Sequence, residues 1–441
     1  MQSVADVPTP VAGSQHSAGL GCRHNPISRI IVDLTPLLPA GINGGAKPMT
    51  LALLNRLISR SPGIRFVLLT LRRTADELMV FNQPNVHRIV VDSAVNEADA
   101  TLVESISRPA PKPVPGGLRR YTEAVWLKFR SSRFNPRSPA RQLRNSVVFC
   151  PFTAPFFSEA KIPMVSLIHD LQYLDYPQYF SDQAKTERQR HFADACLLAD
   201  RLVCVSDFVR RRVLEASRLS PHRVVTIHTR LARRLPAPAP NHRALLQRRF
   251  GLDPDCYLLY PANFWKHKNH EMLLVALGLF ARRFPDSDLK FVCTGAEDER
   301  SHFIRSAAQR MGLQRRVIFP GYVNDVEFST LMHGCLALIY PSLYEGFGMP
   351  VVEAQAIGKP VLCGNVTSLP EVTGGAAVIF DPALPEAIVA AIHRVASDAG
   401  FREELSRKGQ INALRFADTD AMADEYLFAF ADAVRTHRRK P

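Results

Sequence analysis

Residues 340–353 read YPSLYEGFGMPVVE, and their order decides the architecture. The apolar run that leads in, Cys335 to Tyr340, has the length and content of a buried strand. A tight Gly346-Phe347-Gly348 turn follows, then Pro350-Val351-Val352-Glu353-Ala354-Gln355-Ala356, a helix with proline in its first turn, where a missing N–H does no harm. Strand, glycine turn and fresh helix N-terminus make an anion site, because unpaired backbone N–H groups and the positive end of the helix dipole converge there. Two carboxylates flank it, Glu345 in the turn and Glu353 eight residues later in the helix. A phosphate cradle beside groups that accept hydrogen bonds from hydroxyls suits a nucleotide sugar. The bland alternative is that such turns occur in any doubly wound protein and that a helix glutamate is merely solvated. A dinucleotide fingerprint is disfavoured, since Val351 stands where its third glycine belongs.

Outward from this stretch, short apolar runs alternate with helical patterns. Around it lie Tyr257–Tyr260, Leu289–Cys293, Arg316–Phe319, Pro360–Leu362 and Ala377–Phe380. Nearer the N-terminus lie Arg29–Leu34, Arg65–Thr70, Arg88–Val91, Ser146–Cys150, Met164–His169, Arg201–Val205 and Arg223–Ile227. Alternation of this kind predicts parallel sheets covered by helices on both faces. Pro236-Ala-Pro-Ala-Pro240 breaks the pattern as a linker, with Asn241 as the N-cap of the next helix. The expected organisation is an α/β chain of two Rossmann-like domains facing a central cleft. It divides into a flexible tail (1–27), a first domain (28–235), a linker (236–245), a second domain (246–415) and a C-terminal helix with a basic end (416–441).

The stretch Gly321 to Pro382, with PSLYEGFGMPVVEAQAIGKPVL and SLPEVTGGAAVIFDP, closely resembles the donor-binding half of the retaining glycosyltransferases of family 4, which have the GT-B architecture. The likeness extends more loosely from about Arg29 to the last helix and includes bacterial polysaccharide mannosyltransferases. It implies a retaining transferase that takes a sugar from a nucleotide-sugar donor, with GDP-mannose favoured, to a hydroxyl of a glycan or lipid-linked acceptor. A sugar-nucleotide 2-epimerase and a noncatalytic sugar-nucleotide- or glycan-binding subunit are the rivals. In the family the terminal helix packs back across the first domain.

The same resemblance assigns roles. Glu345 lies against the reacting sugar, and Phe347, Gly348 and Met349 form the turn that meets the donor. Glu353, on the helix that begins at that turn, would take the ribose hydroxyls. Lys268 falls on a family lysine that binds donor phosphates, although a surface lysine flanking a helix is the plain alternative. Asn263 occupies the place of a family arginine, with Lys266 and His267 as possible substitutes. His169, at a strand's C-terminal end where open α/β sheets bind ligands, lies near the donor sugar in the family. Gly44 and Gly45 would let backbone reach the donor phosphate and the acceptor. Ser368-Leu-Pro-Glu371 resembles the family's strand-to-helix turn, but a capping box suffices to explain it. The family's Asn-Gly after the first domain's last strand is replaced by His228-Thr229.

Composition sets the remaining bounds. A chain of 441 residues with 46% hydrophobic residues has material for two cores. No apolar run is long enough to span a membrane and the N-terminus lacks the pattern of a signal peptide, so a cytoplasmic enzyme is expected. The eight cysteines show no metal spacing and read as core residues in a reducing compartment. Three D-x-D strings, at Asp253, Asp286 and Asp418, read as turns and caps, so no metal and no other cofactor is expected. The net charge of +14 is concentrated: Arg108 to Arg144 holds ten Lys/Arg against Glu123 alone. This lies in an insertion at about 100–145 with Trp126 and Phe129. An anionic membrane surface or a phosphorylated lipid acceptor fits a glycosyltransferase better than nucleic acid, with a solvated loop as the plain alternative; the membrane reading would put the enzyme at the inner face of the cytoplasmic membrane.

Overall fold

The computed structural model describes residues 27–39, 42–92, 145–157, 162–238 and 241–438. Residues 1–26 of the expected tail, the basic insertion with Trp126 and Phe129, and the last arginine and lysine of the basic end lie outside the described residues; Ile27, the tail's expected last residue, is instead buried in the core.

Seven strands form the first sheet: β1 (Arg29–Asp33), β2 (Arg65–Thr70), β3 (Val86–Val90), β4 (Ser146–Cys150), β5 (Met164–Ile168), β6 (Arg201–Cys204) and β7 (Val224–Thr226). Six form the second: β8 (Tyr257–Pro261), β9 (Lys290–Thr294), β10 (Val317–Gly321), β11 (Ala337–Tyr340), β12 (Val361–Gly364) and β13 (Val378–Phe380). Every pairing is parallel. Strands such as SVVFC and MVSLI are buried at every position, as a sheet covered on both faces requires.

The strand orders are β3-β2-β1-β4-β5-β6-β7 and β10-β9-β8-β11-β12-β13. In each sheet the chain moves outward for three strands and then returns to the other side of the first. The crevice beyond the strand ends at that reversal is where open α/β sheets bind ligands. It falls between β1 and β4 in one domain and between β8 and β11 in the other. The loops leaving β1, β8 and β11 are those that carry Gly44-Gly45, Lys268 and Glu345.

The chain crosses between domains twice, and the crossings are tied side by side: Ala232 N donates to Phe416 O at 3.0 Å and Thr419 Oγ1 to Arg230 O at 3.0 Å. The terminal helix, Thr419–His437, lies on the first sheet. Phe149 of β4 packs its ring 5.7 Å from Tyr426 and 5.2 Å from Phe430, while Arg60 donates twice to Asp424 at 3.0 and 2.8 Å. Asp418 caps this helix through Ala421 N. Asn241 stands at the N-cap of the helix His242–Phe250, but its side chain makes no capping bond. That helix instead ends firmly, on Gly251 at φ 63°. Cys150, Cys204, Cys293 and Cys363 are buried and unbridged.

Candidate active site

The loops from the two reversals touch across the cleft. A Cβ on Gly44, whose φ is +54°, would meet the Trp265 ring at 2.9 Å; one on Gly45 would meet Met349 Cε at 3.2 Å. A Cβ on Gly346 would sit 1.9 Å from His169 O, so only glycine lets the turn after β11 lie against the end of β5. Gly44, Gly45, His169 and the turn Gly346–Met349 are thus brought to one place.

The loop after β8 is fastened to the loop after β11. Asn269, at φ 62°, donates its amide to Pro341 O at 3.1 Å and Pro382 O at 2.8 Å, and Leu343 N donates to His267 O at 2.7 Å. This holds Lys268 Nζ 2.5 Å from Glu345 Oε1, with each side chain only 10% exposed. The ammonium also lies 5.5 Å from the centre of the Tyr340 ring. The surface-lysine alternative therefore does not hold. A charge this enclosed is stable only if paired, and a diphosphate would add a second anion beside the same cation.

Glu345 is held at both peptide groups: its N–H donates to Thr367 Oγ1 at 3.0 Å, and Ser368 Oγ donates to its carbonyl at 3.0 Å. The helix Met349–Ala356 then starts from Gly348 at φ +91°, a left-handed conformation suited to glycine. His169 Nε2 bonds Pro151 O at 2.8 Å. A carbonyl only accepts, so Nε2 carries the proton and Nδ1 is left as the acceptor. Burial lowers the His169 pKa, against the opposing pull of that bond, which keeps the ring neutral.

Asn263 does not stand in for the family arginine by aiming a charge. Its Oδ1 accepts from Ala296 N at 3.0 Å, which fastens the loop after β9. His267 is held neutral as well, pushed down to about 2 by burial and then by Lys268. Lys266 is exposed.

Glu353 has a partner that the sequence did not disclose. It is 1% exposed, and Arg234 donates from Nε to its Oε1 at 2.9 Å and from Nη1 to Asp325 Oδ1 at 2.9 Å. Burial raises the Glu353 pKa and the guanidinium opposes the rise. Arg234 follows β7 just ahead of the proline linker, where a pair of arginines reads as solvated linker charge. No periodicity or spacing could have paired it with a glutamate 119 residues later.

The capping-box expectation at Ser368 is corrected. Its hydroxyl goes to Glu345, and the Glu371 carboxylate reaches the first domain instead. There it accepts from Asp207 N at 2.8 Å, Phe208 N at 2.9 Å and His228 Nε2 at 2.8 Å. Where the family's Asn-Gly was missed, His228 supplies this contact. Asp207, His228 and Glu371 are also the one grouping of metal-ligating side chains among the described residues, with ligand atoms within 4.8 Å. Their donors are already engaged: Asp207 accepts from Thr226 Oγ1 at 2.6 Å and Glu371 from the three groups just named. Those bonds outweigh burial and hold the Glu371 carboxyl below the usual range.

Residues 246–411 match the family described as Glycosyl transferases group 1. The chain is 27% identical over 288 residues to the O-antigen chain mannosyltransferase B of Escherichia coli, an alignment covering 64% of this chain and 74% of that one. It is 26% identical over 261 residues to the serotype-specific mannosyltransferase WbdA of the same species, covering 58% of this chain and 31% of that one. Among solved structures, Anabaena HepE in complex with UDP and glucose superposes with a TM-score of 0.67 over 92% of this chain and all of that one, at 15% identity. The architecture is GT-B.

Proposed function

We propose that this chain, whose residues 246–411 match the family described as Glycosyl transferases group 1, is a retaining glycosyltransferase that moves mannose from GDP-mannose to a hydroxyl of a glycan or lipid-linked acceptor in cell-surface polysaccharide synthesis. The observation that carries the reading is the meeting of the Gly346–Met349 turn, Lys268–Glu345, His169 and Gly44-Gly45 at the paired sheet reversals. The named mannosyltransferases among its relatives support the sugar.

In this reading the diphosphate lies between the turn at Gly348, Lys268 and Gly44-Gly45. These are fixed dipoles and one cation aimed at the charge that develops as the bond to the anomeric carbon breaks. The acceptor oxygen attacks that carbon from the face the diphosphate leaves, and its proton passes to a departing phosphate oxygen. Glu345 and the neutral His169, through Nδ1, orient the sugar's hydroxyls. Glu353 takes the ribose hydroxyls, sharing its carboxylate with Arg234. No helix among the described residues is long and apolar enough to cross a membrane. We place the work at the inner membrane face, with the basic segment 108–144 on anionic lipid; binding to anionic vesicles that is lost at high salt would support this.

A panel of sugar nucleotides tests the reading. The true donor at 100 times its Kd should add about 2.7 kcal/mol of stability. Incubation of that donor with acceptor, followed by NMR of the product's anomeric proton, reads retention directly. Donor consumption without acceptor would point to epimerisation, binding without consumption to a noncatalytic subunit, and a UDP-sugar in place of GDP-mannose would correct the donor.

A further inference from the structure

The turn from Thr367 to Glu371 has no part in the donor site as described, yet it touches both the candidate catalytic glutamate and the opposite domain. At one end Thr367 Oγ1 and Ser368 Oγ hold the two peptide groups of Glu345, each at 3.0 Å. Thr367 sits at φ +56°, a conformation that costs a β-branched residue energy and persists only where the surroundings fix it. At the other end the Glu371 carboxylate meets the N-terminus of the helix Asp207–Ala216 in the first domain, accepting two backbone N–H groups and the His228 ring. Ser206, which caps that same helix through Val209 N at 3.2 Å, donates to Gly346 O at 2.7 Å, the peptide next to Glu345.

We propose that this turn couples domain closure to the placement of Glu345, with Glu371 as the positioning residue; the proposal rests on the transfer reading above. Closure brings three donors of the first domain onto Glu371 and a fourth, Ser206, onto Gly346. The path from Glu371 to the Glu345 peptide is only a few covalently joined residues. Parting of the domains strips all four bonds at once and leaves the Thr367 conformation without its external anchor. Glu345 is therefore held in its working position only when the first domain, which brings the acceptor, is docked.

The test uses the full chain as wild type, Glu371→Ala, Glu371→Gln and Thr367→Val. Small-angle scattering reads domain separation without substrate, and steady-state kinetics with the wild type's donor reads turnover. Glu371→Ala should widen the distance distribution and lower kcat about 10- to 100-fold, the cost of misplacing a reacting group, with donor KM little changed. Glu371→Gln keeps one accepting oxygen and should fall between. Thr367→Val, which keeps the branched shape and removes the hydroxyl, should lower kcat with scattering unchanged. Melting curves check that each variant is folded, and Glu371→Gln carries the test if Glu371→Ala is not. In a folded Glu371 variant, an unchanged kcat, a rise in KM alone, or a loss of kcat without change in scattering would overturn the coupling, as would an unchanged kcat in folded Thr367→Val. A wild type that transfers no sugar would refute the transfer reading and the link to turnover, while scattering would still decide whether Glu371 sets the domain angle.

Discussion

Glu345 and Glu353 come from one short stretch, and each is tied to a cation, but the two pairs are built differently. Lys268, the partner of Glu345, comes from the neighbouring strand loop of the same domain. Arg234, the partner of Glu353, comes from the chain leaving the first domain. The first pair is made within the second domain, and the first domain reaches it only indirectly, through Glu371 and Gly346. The second depends on where the first domain's exit segment lies. Burial differs too: Glu353 is the more enclosed, and its proton affinity is raised. In the proposed function, the contrast separates a reaction end that the first domain reaches only through Glu371 and Gly346 from a nucleoside end that meets the first domain's exit segment directly.

The sharpest way to break the contrast is at the reaction end. Glu345→Ala and His169→Ala should each lower kcat about 10²-fold or more at saturating donor, if they act on the charge of the transition state. Should only KM rise, both are binding groups and the two ends do not differ in kind. At the nucleoside end Glu353→Gln should weaken donor binding about 10- to 150-fold, the range for hydrogen bonds to a charged acceptor. Calorimetry checks it, and an unchanged affinity would remove Glu353 from the donor site.

A smaller effect tests the exit segment. Arg234→Ala leaves Glu353 buried without its cation, which costs about 3 kcal/mol where the carboxylate stays charged. The loss should depend on pH in a definite sense. A buried carboxyl with a raised folded-state pKa is tolerated while protonated and destabilises as pH rises through that pKa. The variant's deficit in melting stability relative to wild type should therefore grow from pH 5 to pH 8. A deficit independent of pH would mean that Arg234 contributes packing rather than charge.

Much of this was legible in the sequence because it is local. All thirteen strands among the described residues fall on the short apolar runs, since buried parallel strands leave uninterrupted Val, Ile, Leu and Phe. The glycines at 44, 45, 346 and 348 could be picked out as turn residues, and the turn at 348 forms where strand gives way to helix. What could not be read is tertiary pairing. Ser368 and Glu371 have the spacing of a capping box, but the serine serves Glu345 and the glutamate serves a helix of the other domain. Asn263 reads from the sequence only as the replacement of a family arginine, and its Oδ1 also fastens Ala296. Arg234 carried no pattern at all. Side chains whose partners lie a hundred residues away obey geometry that only the folded sheets create.

The smallest expected effect is no effect, on chelation. A metal-dependent transferase uses the ion to hold the diphosphate and neutralise the leaving charge, and it needs free carboxylates facing the site. Here the two carboxylates flanking the Gly346–Gly348 turn are each committed to a cation of the chain. Lys268, the glycine turn at Gly44-Gly45 and the helix start at Gly348 can supply positive potential without an ion. The grouping Asp207, His228 and Glu371 has its oxygens already accepting from Thr226, from two backbone N–H groups and from the histidine. Transfer should therefore proceed at the same rate in EDTA as with Mg²⁺ or Mn²⁺. Loss of transfer on chelation, restored by either ion, would mean that Glu345 or Glu353 exchanges its cation for a metal when donor binds. The two ends would then be halves of one metal site, and the distinction between them would collapse.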